Sequence, residues 1–315
     1  METNTARGHL SALLTIAIWG TTFISTKVLL EDFQPVEILF LRFVLGFLAL
    51  CLIYPRRLLL GERRQELWFA AAGLCGVTLY YLLENIALTY TLASNVGVLV
   101  SVSPVFTALL SHFLLRREKL RPAFFAGLAV ALAGVVLLSY NGSAVLKLDP
   151  RGDVLALLAA AIWSAYSLIT RHISSFGYPV VQTTRRIFAY GLVFMLPALL
   201  VFGFRPSLAA VLEPVNLLNL VYLGLGACAL CFVTWNFAVG RLGAVKTSTY
   251  IYLVPVITVA ASVAILDEPF TGLDGDNRRR AAGCILERTA LRPVLLVTHD
   301  EADAEALSAR VIHLN

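Results

Sequence analysis

Nine apolar runs, each close to twenty residues long, follow one another through the first 266 positions of this 315-residue chain, and no other feature constrains its fold as tightly. The windows fall near 9–29, 35–54, 67–90, 94–115, 121–139, 153–170, 180–203, 214–239 and 244–266. A helix rising about 1.5 Å per residue needs about twenty such residues to cross the hydrocarbon core of a bilayer. A lone segment in lipid must also satisfy its own backbone hydrogen bonds, which selects helices, and the alternation of a membrane barrel is absent. The sequence therefore predicts an all-α polytopic membrane protein of about nine transmembrane helices and excludes an ordinary soluble enzyme. Charge divides the chain in two: residues 1–266 carry 19 basic and 11 acidic side chains, whereas the last 49 residues alone carry 6 and 9. That tail reads as a small α/β-like fragment shaped by water.

The first run follows a short, weakly basic leader without a small-residue cleavage site, so it is expected to stay as the first span. Arg56, Arg57, Arg63 and Arg64 follow the second window, and Arg116, Arg117, Lys119 and Arg121 follow the fourth, while the alternate loops hold few basic residues. The positive-inside rule places those loops and the amino terminus in the cytoplasm. Cys228 and Cys231 form a C-x-x-C inside a span with no second ligand pair, which reads as packing. The expected partners are lipid and a small solute, with protons as a candidate coupling ion. Nothing calls for a metal, a cofactor or a nucleic acid.

The chain also repeats itself. Ala17–Lys27 (AIWGTTFISTK) matches Ala161–Arg171 (AIWSAYSLITR) at an offset of 144, which continues to align Pro35 with Pro179 and Arg42 with Arg186. A shift of 151 then aligns Asn85 with Asn236 and Pro104 with Pro255. Such self-similarity marks two copies of one unit. Five spans per copy is an odd number, so the second copy is expected to enter the membrane inverted, an arrangement typical of secondary transporters.

These segments, together with ENIALTYTLASNVGVLVSVSPVFTALLSHFLLRREKL and AGLAVALAGVVLL, resemble the EamA-type drug/metabolite transporter superfamily over residues 9 to about 268. The resemblance implies a ten-helix carrier of the inner (plasma) membrane, made of two inverted five-helix repeats around a central cavity. It implies movement of a small metabolite, such as an amino acid, amine or nucleoside, usually outward and without enzymatic chemistry. The domains expected are a five-helix repeat over 1–143, a second repeat over 144–266 whose tenth helix is missing, and a fragment over 267–315.

That fragment, AILDEPFTGLDGDNRRRAAG followed by LRPVLLVTHDEADAEALSARVIHLN, resembles the carboxy-terminal end of an ABC-transporter ATPase subunit. By that resemblance Asp267 would serve the Mg²⁺ shell, Glu268 would polarise water, Asp274 would belong to the D-loop and His299 would sense the γ-phosphate. The chain has no G-x-x-x-x-G-K-[ST] loop to cradle phosphates, so these residues read as vestigial. Two rivals to a working carrier follow: a nonfunctional hybrid (a chimera of the two families), and a membrane-tethered ATP-binding subunit.

Polar groups within spans are expensive and therefore candidates for transport. Glu84, beside Asn85, would bind a cationic group or a proton, or else pair structurally with a neighbouring arginine or a hydroxyl. Arg42 and Arg186 would anchor or gate at matched positions, or else reach for the headgroups. Trp19 and Trp163 offer an indole face and one donor at mid-span, or serve as packing. With Asn236, the mate of Asn85, these seven are the candidate substrate-binding residues.

Overall fold

The computed structural model describes residues 2–90, 93–115 and 150–265, and the regular elements within them are all helical. We number them α1 (Glu2–Leu29), α2 (Pro35–Ile53), α3 (Gln65–Tyr90), α4 (Ala93–Val100), α5 (Ser103–Leu110), α6 (Pro150–Ser174), α7 (Val180–Phe202), α8 (Leu208–Leu212), α9 (Pro214–Leu242), α10 (Ala244–Ser248) and α11 (Val254–Ile265). Seven helical stretches among the described residues are long and apolar enough to cross a bilayer. They match the first four and the sixth to eighth sequence windows. The ninth window is helical in three pieces, with a 3₁₀ turn at Thr249–Leu253 between α10 and α11. The fifth window and the tail from residue 266 lie outside the described residues, so the nine-helix count and the α/β-like fragment rest on sequence.

Local chemistry sets the ends of these helices. Pro35 opens α2, where proline's missing N–H costs nothing, and the Glu37 carboxylate accepts the Gln34 N–H at 2.9 Å. The same carboxylate accepts the Arg205 N–H at 2.9 Å, tying the loop after α7 to the start of α2. Pro214 opens α9, and Glu213 accepts the Asn216 N–H at 3.0 Å. Gly243 closes α9 at φ 90°, a conformation that side chains resist.

The interior of two helices is not α-helical. Leu74–Leu79 of α3 and Tyr222–Leu230 of α9 are π-helical, and a glycine that admits a neighbouring helix lies just before the first, Gly73, and inside the second, Gly224. A Cβ on Gly73 would lie 2.7 Å from the backbone of Ile187 and Gly191 in α7; one on Gly224 would lie 2.7 Å from Leu45 and 3.2 Å from the Arg42 carbonyl in α2. Thus α3 packs on α7 as α9 packs on α2. Likewise α1 packs along α9, and α3 along α6. Lipid supplies no hydrophobic force between helices, so such close small-residue contacts and interhelical hydrogen bonds carry the association.

Span four breaks at Ser101–Val102, just before Pro104 in α5, and the ninth window breaks just before Pro255 in α11. The Ser103 carbonyl at the first break accepts from the Ser164 hydroxyl of α6 at 2.8 Å, and Thr258 of α11 donates to the Gly20 carbonyl of α1 at 2.7 Å. Interruptions of this kind survive in membranes because neighbouring helices satisfy the exposed backbone. At the centre of the bundle Phe232 is packed edgewise or tilted by Trp19, Phe43, Tyr81, Trp163, Tyr166 and Phe188.

Candidate functional site

Five helices, α1, α3, α4, α6 and α11, build a small aromatic chamber around Glu84. Trp19 of α1 and Trp163 of α6, at matched positions of the repeat, meet edge to face with ring centroids 5.1 Å apart, and Tyr80 of α3 lies 4.8 Å from Trp163. The Trp19 indole N–H donates to the Ala227 carbonyl in the π segment of α9 at 3.0 Å, which fixes its ring. Glu84, 6% exposed, sits one helical turn after Tyr80, so that the Tyr80 hydroxyl donates to its carboxylate at 3.3 Å. Thr22, Ile251 and Val254 help to close the walls. The cavity between them is about 30 Å³, room for water but not for a solute. The sequence led us to expect a solute-sized centre; the bulk of Trp19, Tyr80, Tyr81 and Trp163 fills it in this conformation.

Arg42 is wholly interior, at 1% exposure, so the headgroup alternative does not describe it. Its position on α2 faces α9 rather than lipid. There its Nε donates to the Cys228 sulfur at 3.2 Å, and its guanidinium lies 4.5 Å over the Tyr81 ring, within electrostatic reach of Glu84. The Nη2 group has no hydrogen-bond partner among the described residues, nor has the Nε1 of fully buried Trp235. Tyr81 thus separates Arg42 from the chamber that holds Glu84.

The remaining candidates fall elsewhere. Arg186 forms a forked ion pair with Glu66 and donates to the Leu58 carbonyl at 2.9 Å, while Tyr190 donates to Glu66 at 2.6 Å. This partly exposed knot joins α7 to the start of α3, away from Glu84. Asn85 donates to the Pro35 carbonyl at 3.0 Å, tying the end of α3 to the start of α2. Asn236 accepts from Tyr166 at 2.8 Å and donates to Thr184 at 3.1 Å. It stands at the floor of a vestibule of about 480 Å³ between the ends of α6 and α9 and the start of α7. Three candidates, Trp19, Trp163 and Glu84, therefore share one chamber; Arg42 backs it, and Asn85, Asn236 and Arg186 lie outside it.

Sequence reasoning missed Tyr80, Tyr81, Tyr166, Phe232 and Trp235. Tyr80 carried a usable signal, its four-residue spacing from Glu84; Phe232 and Trp235 are ordinary apolar residues until the fold converges on them. Among the described residues no three metal-ligating side chains cluster, and Cys228 and Cys231 are buried free thiols. Asp267, Glu268, Asp274 and His299 lie outside the described residues.

Residues 6–140 and 150–274 match the EamA-like transporter family, which covers most of the chain in two consecutive copies. The chain belongs to the EamA-like transporter family. As such it is a multi-span membrane protein that carries a small-molecule substrate through the bilayer. The second match runs to residue 274, past the LDEP string at 266–269 where the ATPase-like resemblance begins. An uncharacterized transporter of Archaeoglobus fulgidus is 30% identical over 277 residues, 86% of this chain and 94% of the relative. A probable terminal-alkyne amino-acid exporter of Streptantibioticus cattleyicolor is 27% identical, over 81% of this chain and 84% of its own length. A probable amino-acid metabolite efflux pump of Escherichia coli is 29% identical, over 83% and 88%. One crystal structure shares the fold at a TM-score of 0.62 with 24% identity, covering 82% of this chain and 89% of the other.

Proposed function

We propose that this EamA-like protein is a secondary carrier that exports a small amphipathic amino acid or amine across the inner membrane, with its amino terminus in the cytoplasm. It works by alternating access between two inverted repeats. The buried Glu84 carboxylate within the aromatic chamber carries this reading. A primary ammonium group is attracted both by a carboxylate and by the faces of Trp and Tyr rings, and the same carboxylate serves as a proton site when the solute leaves. The printed names of the S. cattleyicolor and E. coli relatives support an amino-acid-like substrate.

Matched contacts support the inverted halves. Lys27 donates to the Leu88 carbonyl at 3.5 Å, and its mate Arg171 donates to the Val239 carbonyl at 3.4 Å; the two acceptors are themselves mates at the offset of 151. The close approaches at Gly73 and Gly224 obey the same pairing, as do the breaks before Pro104 and Pro255 and the meeting of Trp19 with Trp163. Exchange of two such halves would open the chamber to each side in turn.

Flux of labelled amino acids in proteoliposomes, with and without a pH gradient, tests the reading. Glu84→Gln keeps the Tyr80 hydrogen bond and removes the charge. It should abolish stimulation by the gradient and lower flux at least tenfold while the protein still elutes as a folded species. Gradient-stimulated flux of normal size in that variant would refute the role of Glu84.

A further inference from the structure

We propose that the vestibule at the ends of α6 and α9 is a loading site for the carboxylate end of an amino acid, built into the second half of the chain alone. This rests on the carrier reading, and it concerns a site separate from the Glu84 chamber. The argument comes from laying the two halves over one another at the offsets of 144 and 151. On the first half, Leu30, Phe33 and Leu39 stand where α1, the following turn and α2 converge; Phe33 is 4% exposed and Leu39 is fully buried. Their mates in the second half are Ser174, Gly177 and Thr183, all three on the wall of the vestibule. One backbone plan is thus filled with large apolar side chains in the first copy and with two hydroxyls and no side chain in the second. Large side chains in place of Ser174 and Thr183 would take up part of the void that these two residues line.

Its chemistry is that of a polar site. Thr170, Thr183 and Asn236 form a buried floor, and Arg241, the mate of Tyr90, stands at the rim. Among the described residues no acidic side chain lines the void. The guanidinium of Arg241 lies 5.3 Å over the Phe237 ring, which keeps the planar fork at the opening, and such a fork suits a carboxylate through two parallel hydrogen bonds. The Ser174 hydroxyl spends its proton on the Arg171 carbonyl at 2.6 Å, leaving its oxygen to accept from a ligand ammonium. Phe237 and Val180 supply an apolar wall for the side chain. A volume of about 480 Å³ lies within the usual range for small-molecule sites. The site opens on the face that carries the start of α3, since Tyr178 beside it donates to Gln65 at 2.6 Å.

The test uses the full chain, purified and reconstituted, with L-phenylalanine and its decarboxylated counterpart phenethylamine as probes. Arg241→Gln should raise the KM for phenylalanine about tenfold when it is offered at the amino-terminal face. It should leave phenethylamine transport unchanged, and Arg241→Lys should recover part of the loss. Ser174→Leu with Thr183→Leu, which copies the first half's filling, should raise the KM of both probes from that face and of neither from the other. Equal effects of Arg241→Gln on the two probes, or a filled vestibule with an unchanged KM, would overturn the proposal. Equilibrium binding separates the two readings. Arg241-dependent binding of phenylalanine without flux would refute the carrier and keep the site, whereas flux with an Arg241-independent KM would keep the carrier and refute the site. The absence of both binding and flux of phenylalanine would refute the site as assigned.

Discussion

Gly76→Ala tests the packing at the heart of the bundle with one methyl group. A Cβ at Gly76, in the π segment of α3, would fall 2.2 Å from a ring carbon of Tyr166 and within 2.6 Å of two more. Carbon pairs prefer about 3.5–4.0 Å, so the ring or the helix must shift by more than an ångström. The ring has little room to yield. Trp163 lies 4.9 Å from it and Phe232 5.8 Å, and its hydroxyl is committed to Asn236 at 2.8 Å. Overpacking of a tight core costs about 1–3 kcal/mol, set against roughly 0.5–1 kcal/mol that alanine returns over glycine in a helix. A net loss of ~1–2 kcal/mol should lower the apparent melting midpoint in detergent by about 2–8 °C. Gly97→Ala is the control, because among the described residues, its own helix backbone aside, no atom lies within 4 Å of a Cβ placed there, and it should melt at or slightly above the parent temperature. The shift should also break the Tyr166–Asn236 bond at the vestibule floor, so the destabilised variant should lose affinity there as well. A Gly76→Ala protein that melts like the parent would show that α3 and α6 are not packed as described.

Two further outcomes follow from cross-helix polar contacts. Glu66→Gln should weaken the fork to Arg186 and lower stability by about 1 kcal/mol, less than a buried charge-assisted pair would give because both side chains are about 30% exposed; Arg186→Lys should cost a similar amount in the same melting assay, and an unchanged midpoint in both would refute the knot. Asn85→Ala removes the tie from α3 to the Pro35 carbonyl, and hydrogen exchange at the start of α2 should quicken while exchange within α7 stays as before.

The spans were legible because lipid imposes one rule on every residue that faces it, and seven of the nine windows reappear as long apolar helices. The repeat was legible from Trp19, Trp163 and the paired prolines, because kinks and small-residue contacts require particular side chains. The site was harder to read. Arg42 looked shallow by its distance from Pro35, yet depth along a helix says nothing about which face is turned inward, and that face is set by α9, nearly two hundred residues away. Asn85 and Asn236, matched in sequence, make different bonds, one to the Pro35 carbonyl and one to Tyr166 and Thr184. Identical residues in two copies take their partners from surroundings that have diverged, as Leu39 has from Thr183.

That divergence bears on direction, but it cannot supply it. A loading site on one face tightens binding there, and by detailed balance the same interactions must be broken before the solute crosses, so the vestibule alters the KM on its own side without moving the final gradient. Net export therefore needs either a solute already concentrated in the cytoplasm or a second ion that occupies the carrier on the return. Among the described residues Glu84 is the carboxylate enclosed with the aromatic pair Trp19 and Trp163, and in the proposed carrier it is the group that would count such an ion. On the proposed reading an arginine vestibule that selects the carboxylate and a glutamate chamber that exchanges an ammonium for a proton would divide the work, the first deciding what is carried and the second what drives it. Separating them predicts that substrate selectivity and gradient dependence respond to different mutations, Arg241 for the one and Glu84 for the other.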